Sequence, residues 1–248
     1  MRKSIFLAVV ALFSFTACVA DKGTPRDFNK SNSVIFSPVY SSLSSISAES
    51  ACVVYSDLIA KGLNDEAEIV KDRCLGDCSI NVETSGIVTM IYRNYQYTVY
   101  TNAKPLSEAG EWRVDKYYKA NIHEPLLLIY KSIEGVNNGF KLHRTDGYVR
   151  YNGMEEISLD RDINIEATYT FDSENDIILA ITGSGNMVEK DSCQIDFTIS
   201  NTDPLILRNF SNIGIEDGTV SVVYRDLVSQ KFREFDVTCT GRLEFTFN

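Results

Sequence analysis

From Phe235 to Phe247, apolar and polar residues alternate for thirteen positions without a break. Phe235, Val237, Cys239, Gly241, Leu243, Phe245 and Phe247 fall on one parity. Asp236, Thr238, Thr240, Arg242, Glu244 and Thr246 fall on the other. Successive side chains of a strand point to opposite faces, so this is the pattern of a strand with one dry and one wet face. A helix would scatter the same residues around its axis. The pattern recurs at Ile163, Ile165, Ala167, Tyr169 and Phe171, and again at Cys193, Ile195, Phe197 and Ile199. From residue 84 onward it predicts about nine or ten strands in a long antiparallel meander. Such a sheet must cover its apolar face by closing, by curling or by wrapping a helix. The fold class expected is therefore mainly β with an N-terminal helical segment (α+β), a curled or barrel-like sheet packed with one or two helices.

The helical signal lies before the strands. Ala51, Val54 and Leu58, with Cys52, Tyr55 and Ile59, recur at three and four, which predicts a helix capped by Ser47 and stopped by Gly62. Asp65 and Glu68 have capping-box spacing for a second short helix, so helices are expected over about 47–73. Turn chemistry divides the strands at Asn137–Gly139, Asp146-Gly147, Asp160–Asp162, Ser173–Asp176, Gly183–Asn186, Asn201–Pro204 and Asp217-Gly218. Residues 102–125 read as a long connection that carries the only tryptophan, Trp112. No internal repeat is visible. Tyr92, Tyr95, Tyr97, Tyr100, Tyr117 and Tyr118 form an aromatic cluster that suits either strand-pair packing or a binding platform.

The first residues are an address rather than part of the fold. Arg2 and Lys3 precede an apolar run, Ile5 to Phe15, of 11 residues. A bilayer span needs about 20, so the run fits a secretory signal. Phe15-Thr16-Ala17-Cys18 resembles the lipobox of bacterial lipoproteins, although Leu is usual where Phe15 stands. The resemblance covers only these residues. It implies cleavage before Cys18, diacylglycerol on its thiol and an acyl chain such as palmitate on its new amino group. Val19, where an inner-membrane retention signal would show Asp, implies an outer-membrane address in the cell envelope. The competing reading is cleavage after Ala20 and release as a soluble periplasmic or secreted protein. The domain plan is a signal peptide over 1–17, a lipidated polar tether over 18–36 and a single β-rich domain over 37–248. Fifteen tether residues would reach roughly 20 Å.

An exported chain meets an oxidising compartment. Cys193 and Cys239 share the apolar parity of their strands and are the preferred disulfide pair. Cys52, Cys74 and Cys78 leave room for one further bond. Cys74 and Cys78 are separated by three residues, not the two of a redox or zinc motif. Asp172, Glu174 and Asp176 alternate like the first half of a calcium loop, but Ile177 stands where that loop needs glycine. They read as an acidic hairpin tip with calcium as the alternative, and no other metal site is expected. Gly183-Ser184-Gly185 lacks the spacing of a nucleophile elbow, Pro125 breaks any zinc helix after His123, and His143 reads as a solvated strand residue.

Basic residues number 24 and acidic ones 34, a net charge of −10; loss of Arg2 and Lys3 with the signal leaves −12. That surface repels phosphate backbones, so no nucleic-acid partner is expected. No motif calls for a cofactor, no catalytic residues are assigned, and the chain is not expected to be an enzyme; a secreted enzyme is the most distant alternative. The leading expectation is a lipid-anchored envelope lipoprotein that meets the membrane through its anchor and acts as a structural or protein-interaction component. The alternative is a carrier holding an apolar ligand or lipid in a curved sheet, a layout similar to lipoprotein carriers of the LolB kind and to lipocalin-like lipoproteins. Cys18→Ala should abolish fatty-acid labelling and leave the precursor uncleaved; persistent labelling would remove the lipobox reading, and processing after Ala20 would favour plain secretion.

Overall fold

The computed structural model describes residues 31–92, 95–118, 126–136, 139–152, 155–210, 215–241 and 244–248. Cys18 and the lipobox lie outside them. The chain opens with helix α1 (Asn32–Lys61), continues through α2 (Asn64–Val70) and a π-helical turn at Lys71–Leu75, and then enters the sheet. The strands are β1 (Ser79–Val82), β2 (Ile87–Tyr92), β3 (Tyr95–Tyr100), β4 (Glu111–Tyr118), β5 (Leu126–Val136), β6 (Gly139–Asn152), β7 (Glu155–Phe171), β8 (Ile177–Glu189), β9 (Cys193–Ile199), β10 (Leu205–Arg208), β11 (Ile215–Asp226), β12 (Phe232–Gly241) and β13 (Glu244–Phe247). A single turn of helix, α3 (Leu106–Ala109), precedes β4. The protein is a mainly antiparallel β fold in which thirteen strands form one curled, open sheet with an N-terminal helix. Neighbours in the sheet are mostly neighbours in sequence. The exception is the lane between β8 and β11, which β10 and β9 share end to end.

Helix α1 is longer and more enclosed than its sequence suggests. It begins at Asn32, so residues 32–36 belong to the helix rather than to a tether, and Ile35 and Phe36 are buried. Ser47 lies inside the helix instead of capping it, and its hydroxyl donates to the Phe210 carbonyl (2.7 Å). Every residue from Glu49 to Leu58 is buried. A helix dry on all sides needs cover on all sides. The curled sheet meets α1 at both ends of the helix: Phe36 and Tyr40 pack on Phe245 of β13 (ring centroids 5.5 and 5.2 Å), while Asp57 binds the Leu106 N–H ahead of β4. Gly62 ends the helix as expected, at φ 75°, with Leu63 N–H reaching the Leu58 carbonyl (2.9 Å). Helix α2 starts after Leu63 with no side-chain cap, so the Asp65/Glu68 capping box does not form.

The thirteen-residue alternation is not one strand. It is two antiparallel strands, β12 and β13, and residues 242–243 between them lie outside the described residues. Val237 faces Phe247 and Cys239 faces Phe245. Over Val237–Cys239 the cross-strand partners share parity, so the change of strand is invisible in the alternation; the register shifts only beyond Cys239, where Gly241 faces Glu244. Phe235, Val237 and Cys239 are buried, and Phe245 and Phe247 pack against the core half-buried, as their parity requires. Leu243 lies outside the described residues.

Other breaks expected from turn chemistry are strand interiors. Asp146-Gly147 pairs with Asp160-Arg161 across β6 and β7, Gly183–Asn186 runs within β8, and Asp217-Gly218 lies in β11. Gly185 is there for space, since a Cβ on it would come within 2.3 Å of the Phe197 ring facing it across β8 and β9. Turns do form at Ser173–Asp176 and Asn201–Pro204. The supposed connection 102–125 contains α3 and β4, and Trp112 is a buried strand residue.

Parity makes a direct prediction. Phe235→Ala should cost about 3–5 kcal/mol of unfolding free energy, and Glu234→Ala, one residue away on the wet face, about 0.5 kcal/mol or less. Denaturant titration of the two variants checks it; equal losses would refute the assignment of faces.

Candidate functional site

The chemically densest place in the molecule lies between the middle of α1 and the inner face of the sheet. Ser42, Ser45 and Glu49 recur at three and four along α1 and so share one side of it. Inner-face parity runs Trp112, Val114, Lys116 on β4 and Phe140, Leu142, Arg144 on β6. Each strand thus ends an apolar series with a cation pointing inward. Glu49, Lys116 and Arg144 are all under 5 % exposed. A buried carboxylate is tolerated only when paired and fully hydrogen-bonded. Lys116 Nζ donates to Glu49 Oε1 and to Ser45 Oγ (both 2.9 Å), and Ser45 Oγ donates to Glu49 Oε1 (2.7 Å). Arg144 Nη1 reaches the same two groups at 3.4 and 3.2 Å. The Lys116 ammonium also lies 4.4 Å from the ring centre of Tyr95 and 5.3 Å from that of Tyr97. Burial, with Glu49 next in weight, pushes the Tyr97 hydroxyl far above its ordinary value and keeps it neutral. Tyr95 and Tyr97 therefore serve packing and cation binding inside the domain.

A second cluster secures the far end of α1. Asp57 accepts the Leu106 N–H (2.8 Å), pairs with Lys61 (2.5 Å) and receives the Tyr169 hydroxyl (3.2 Å). Burial opposes the Lys61 charge, but its bonds to Asp57 and Tyr169 outweigh that and raise its pKa. Both clusters bind helix to sheet through paired polar groups. Sequence analysis missed them, although one signal was there: Lys116 and Arg144 stand on the apolar parity of their strands.

The residues singled out from sequence take other roles. Asp172 Oδ1 accepts the N–H groups of Glu174 (2.8 Å) and Asp176 (2.9 Å), which is an Asx turn. Arg208 bonds Asp172 Oδ2 and lies 3.4 Å from Asp176, whose other oxygen accepts from Asn209 (2.7 Å). The backbone donors, with Arg208 adding to them, hold the Asp172 carboxyl below its ordinary value. A guanidinium thus stands where the calcium reading would put a cation, and Glu174 is exposed at the tip. Among the described residues no group of three or more His, Cys, Asp or Glu side chains could hold a metal ion. His143 pairs with Asp162 across β6 and β7 (2.9 Å). His123 lies outside the described residues.

The expected disulfide is overturned by register. Cys193 lies opposite Asp226 and Cys239 opposite Gly218, on the two sides of β11. Eight residues of strand separate these positions, roughly 26 Å, whereas a disulfide needs Cα atoms within about 7 Å. Shared parity put both thiols on one face but not at one height. Cys52, Cys74 and Cys78 are likewise buried free thiols. Burial raises the Cys52 thiol well above its ordinary value and lifts Cys74 and Cys239 to about 12. They behave as small apolar groups rather than nucleophiles.

On the outer face, Ser221, Val223, Glu234, Asp236 and Asn248 line an open groove of about 350 Å³ over β11 and β12. No known protein family, curated protein or solved structure matches the chain.

Two predictions follow the chemistry of the interior. Glu49→Ala strands two buried cations and should cost about 3–5 kcal/mol, while replacing Glu49, Lys116 and Arg144 together by apolar residues of similar volume should recover most of it. Thermal unfolding of both variants tests this, and a mild single variant would refute the pairing. Burial also raises the Tyr40 hydroxyl, to about 12, and that of Tyr169, alongside Tyr97, Cys52, Cys74 and Cys239. The unfolded chain ionises these groups nearer their ordinary values of 9.0 and 10.0, so at alkaline pH it binds fewer protons than the fold does. Their contribution is whole below about pH 9 and is lost as pH rises toward 12. Denaturation midpoints measured from pH 7 to 11 should fall across the upper half of that range, and a flat profile would contradict the burial of these groups.

Proposed function

We propose that this protein is a lipid-anchored component of the bacterial outer membrane whose folded domain has a structural or protein-interaction role in the envelope. The observation that carries the reading is the occupancy of the concave face of the sheet. A carrier of apolar molecules keeps that face for its ligand. Here the chain spends it on its own helix. Ile46, Val54 and Leu58 of α1 form one continuous buried cluster with Met90, Val99, Phe140, Ile163 and Leu179 of the sheet. The domain is held together from within by the Glu49 and Asp57 clusters, which leaves the outer surface for contacts with other molecules. The lipobox resemblance at Cys18 supports attachment to a membrane, and the net charge of −10 speaks for protein partners over nucleic acid.

A photoreactive amino acid at Ser221 or Glu234, on the rim of the outer groove, gives the direct test. Irradiation of cells should yield a discrete, reproducible adduct with an envelope protein, identified by mass spectrometry. Native mass spectrometry of the purified domain supplies the counter-test: a stoichiometric co-purifying lipid would overturn the reading in favour of the carrier.

A further inference from the structure

The four large apolar side chains most exposed among the described residues are Val228, Phe232, Val82 and Leu63, at 72, 59, 45 and 40 %. The first two belong to one hairpin tip, where β11 turns into β12. This tip is firmly built. Asp226 Oδ1 accepts the N–H groups of Val228 (2.9 Å) and Ser229 (2.8 Å), and the Gln230 amide donates to the Leu227 carbonyl (2.7 Å). Leu227 N–H bonds the Ser192 carbonyl (2.9 Å), which braces the tip against the turn between β8 and β9. Two apolar side chains are therefore held out into solvent on an ordered backbone, at an entropic cost already met on folding.

The place of this tip says what covers it. Arg233, next to Phe232, donates to Asn32 Oδ1 (3.1 Å), so the tip lies at the end of the molecule where α1 begins. Between Cys18 and Asn32 run thirteen residues whose composition gives a reach of about 20 Å. An acyl anchor on Cys18 would therefore keep this end, on average, nearer the lipid than the other. Leu63 lies at the opposite end of α1, about 45 Å away along a thirty-residue helix.

We propose that the β11–β12 tip seats Val228 and Phe232 in the interfacial region of the lipid leaflet that carries acylated Cys18. The inference rests on the lipid-anchor reading and extends it, because it sets the orientation of the domain on the membrane. The basic residues around the tip, Lys190, Arg225, Lys231 and Arg233, are equalled in number by Asp191, Asp196, Asp226 and Glu234, so the contact is apolar and needs no anionic lipid. Side chains at this depth reach roughly 5–10 Å into the headgroup and acyl boundary. Two of them bind weakly by themselves and act only because the anchor keeps them near.

The test uses the full acylated protein in phosphatidylcholine vesicles brominated on their acyl chains. Trp112, the only native tryptophan, is buried and provides the common background. The added indole of F232W should lose about half its emission and shift to the blue. That of L63W should be unchanged, and added salt should alter neither. Both positions are exposed, and an unchanged circular dichroism spectrum verifies each fold. If the protein sediments with vesicles but F232W is not quenched, the tip does not seat and the anchor reading stands. If L63W is quenched equally, or salt releases F232W, the oriented apolar contact is refuted. If Cys18 carries no acyl group and the protein stays in solution, the anchor reading fails and takes the proposal with it.

Discussion

Ten consecutive residues of α1, Glu49 to Leu58, have no face toward water. That constraint organises everything else. A flat sheet can dry only one side of a helix, so the remaining sides must be covered by strands that arrive from elsewhere in the sheet. Right-handed twist lets a long antiparallel sheet curl, and the strands are long enough for it to do so: β7 has 17 residues, β6 has 14 and β8 has 13. Strands far apart in the sheet then meet the same helix. Phe245 and Phe247 of the last strand pack on Phe36, while Lys116 of β4 binds Glu49. The helix fills the curl, which is why the sheet need not close into a barrel.

Apolar packing alone would leave α1 free to slide or rotate, because a helix dry all round offers nearly equivalent faces. The polar contacts remove that freedom. Glu49 can meet Lys116 and Arg144 in one rotation and at one height only, and Asp57 can accept the Leu106 N–H only when the C-terminal end of α1 sits against α3. Buried ion pairs add little net stability over apolar substitutes, yet they penalise every arrangement that separates them. Their role here is to select one helix position within the curl.

This arrangement bears on what the molecule does. With its concave face occupied and Glu49, Asp57, Lys116 and Arg144 paired inside, the domain turns its outer strands and turns to solvent. Short edges limit unwanted sheet extension: β1 and β13 have four residues each. The same end of the domain brings together the start of α1 and the apolar β11–β12 tip.

The sequence by itself determined the class of the fold and the faces of its strands. Period-two patterning reports burial on one side, and burial held for Ile163, Ile165 and Ala167, for Cys193 to Ile199 and for Phe235 to Cys239. Gly62 as a helix stop was equally legible, since a left-handed residue at a helix end is a local matter. Where strands begin and end was less so. Cross-strand partners of equal parity hide a change of strand, and Gly147, Gly183 and Gly218 serve strand interiors as readily as turns. Only the tertiary structure decided which equal-parity residues meet. It set Cys193 and Cys239 far apart along β11, turned the acidic tip at Asp172 toward Arg208, and joined Glu49 to Lys116 and Arg144 across 67 and 95 residues of chain. Parity states which face a side chain takes. Its height on that face and its partner across the core depend on register and curl, which are properties of the whole sheet.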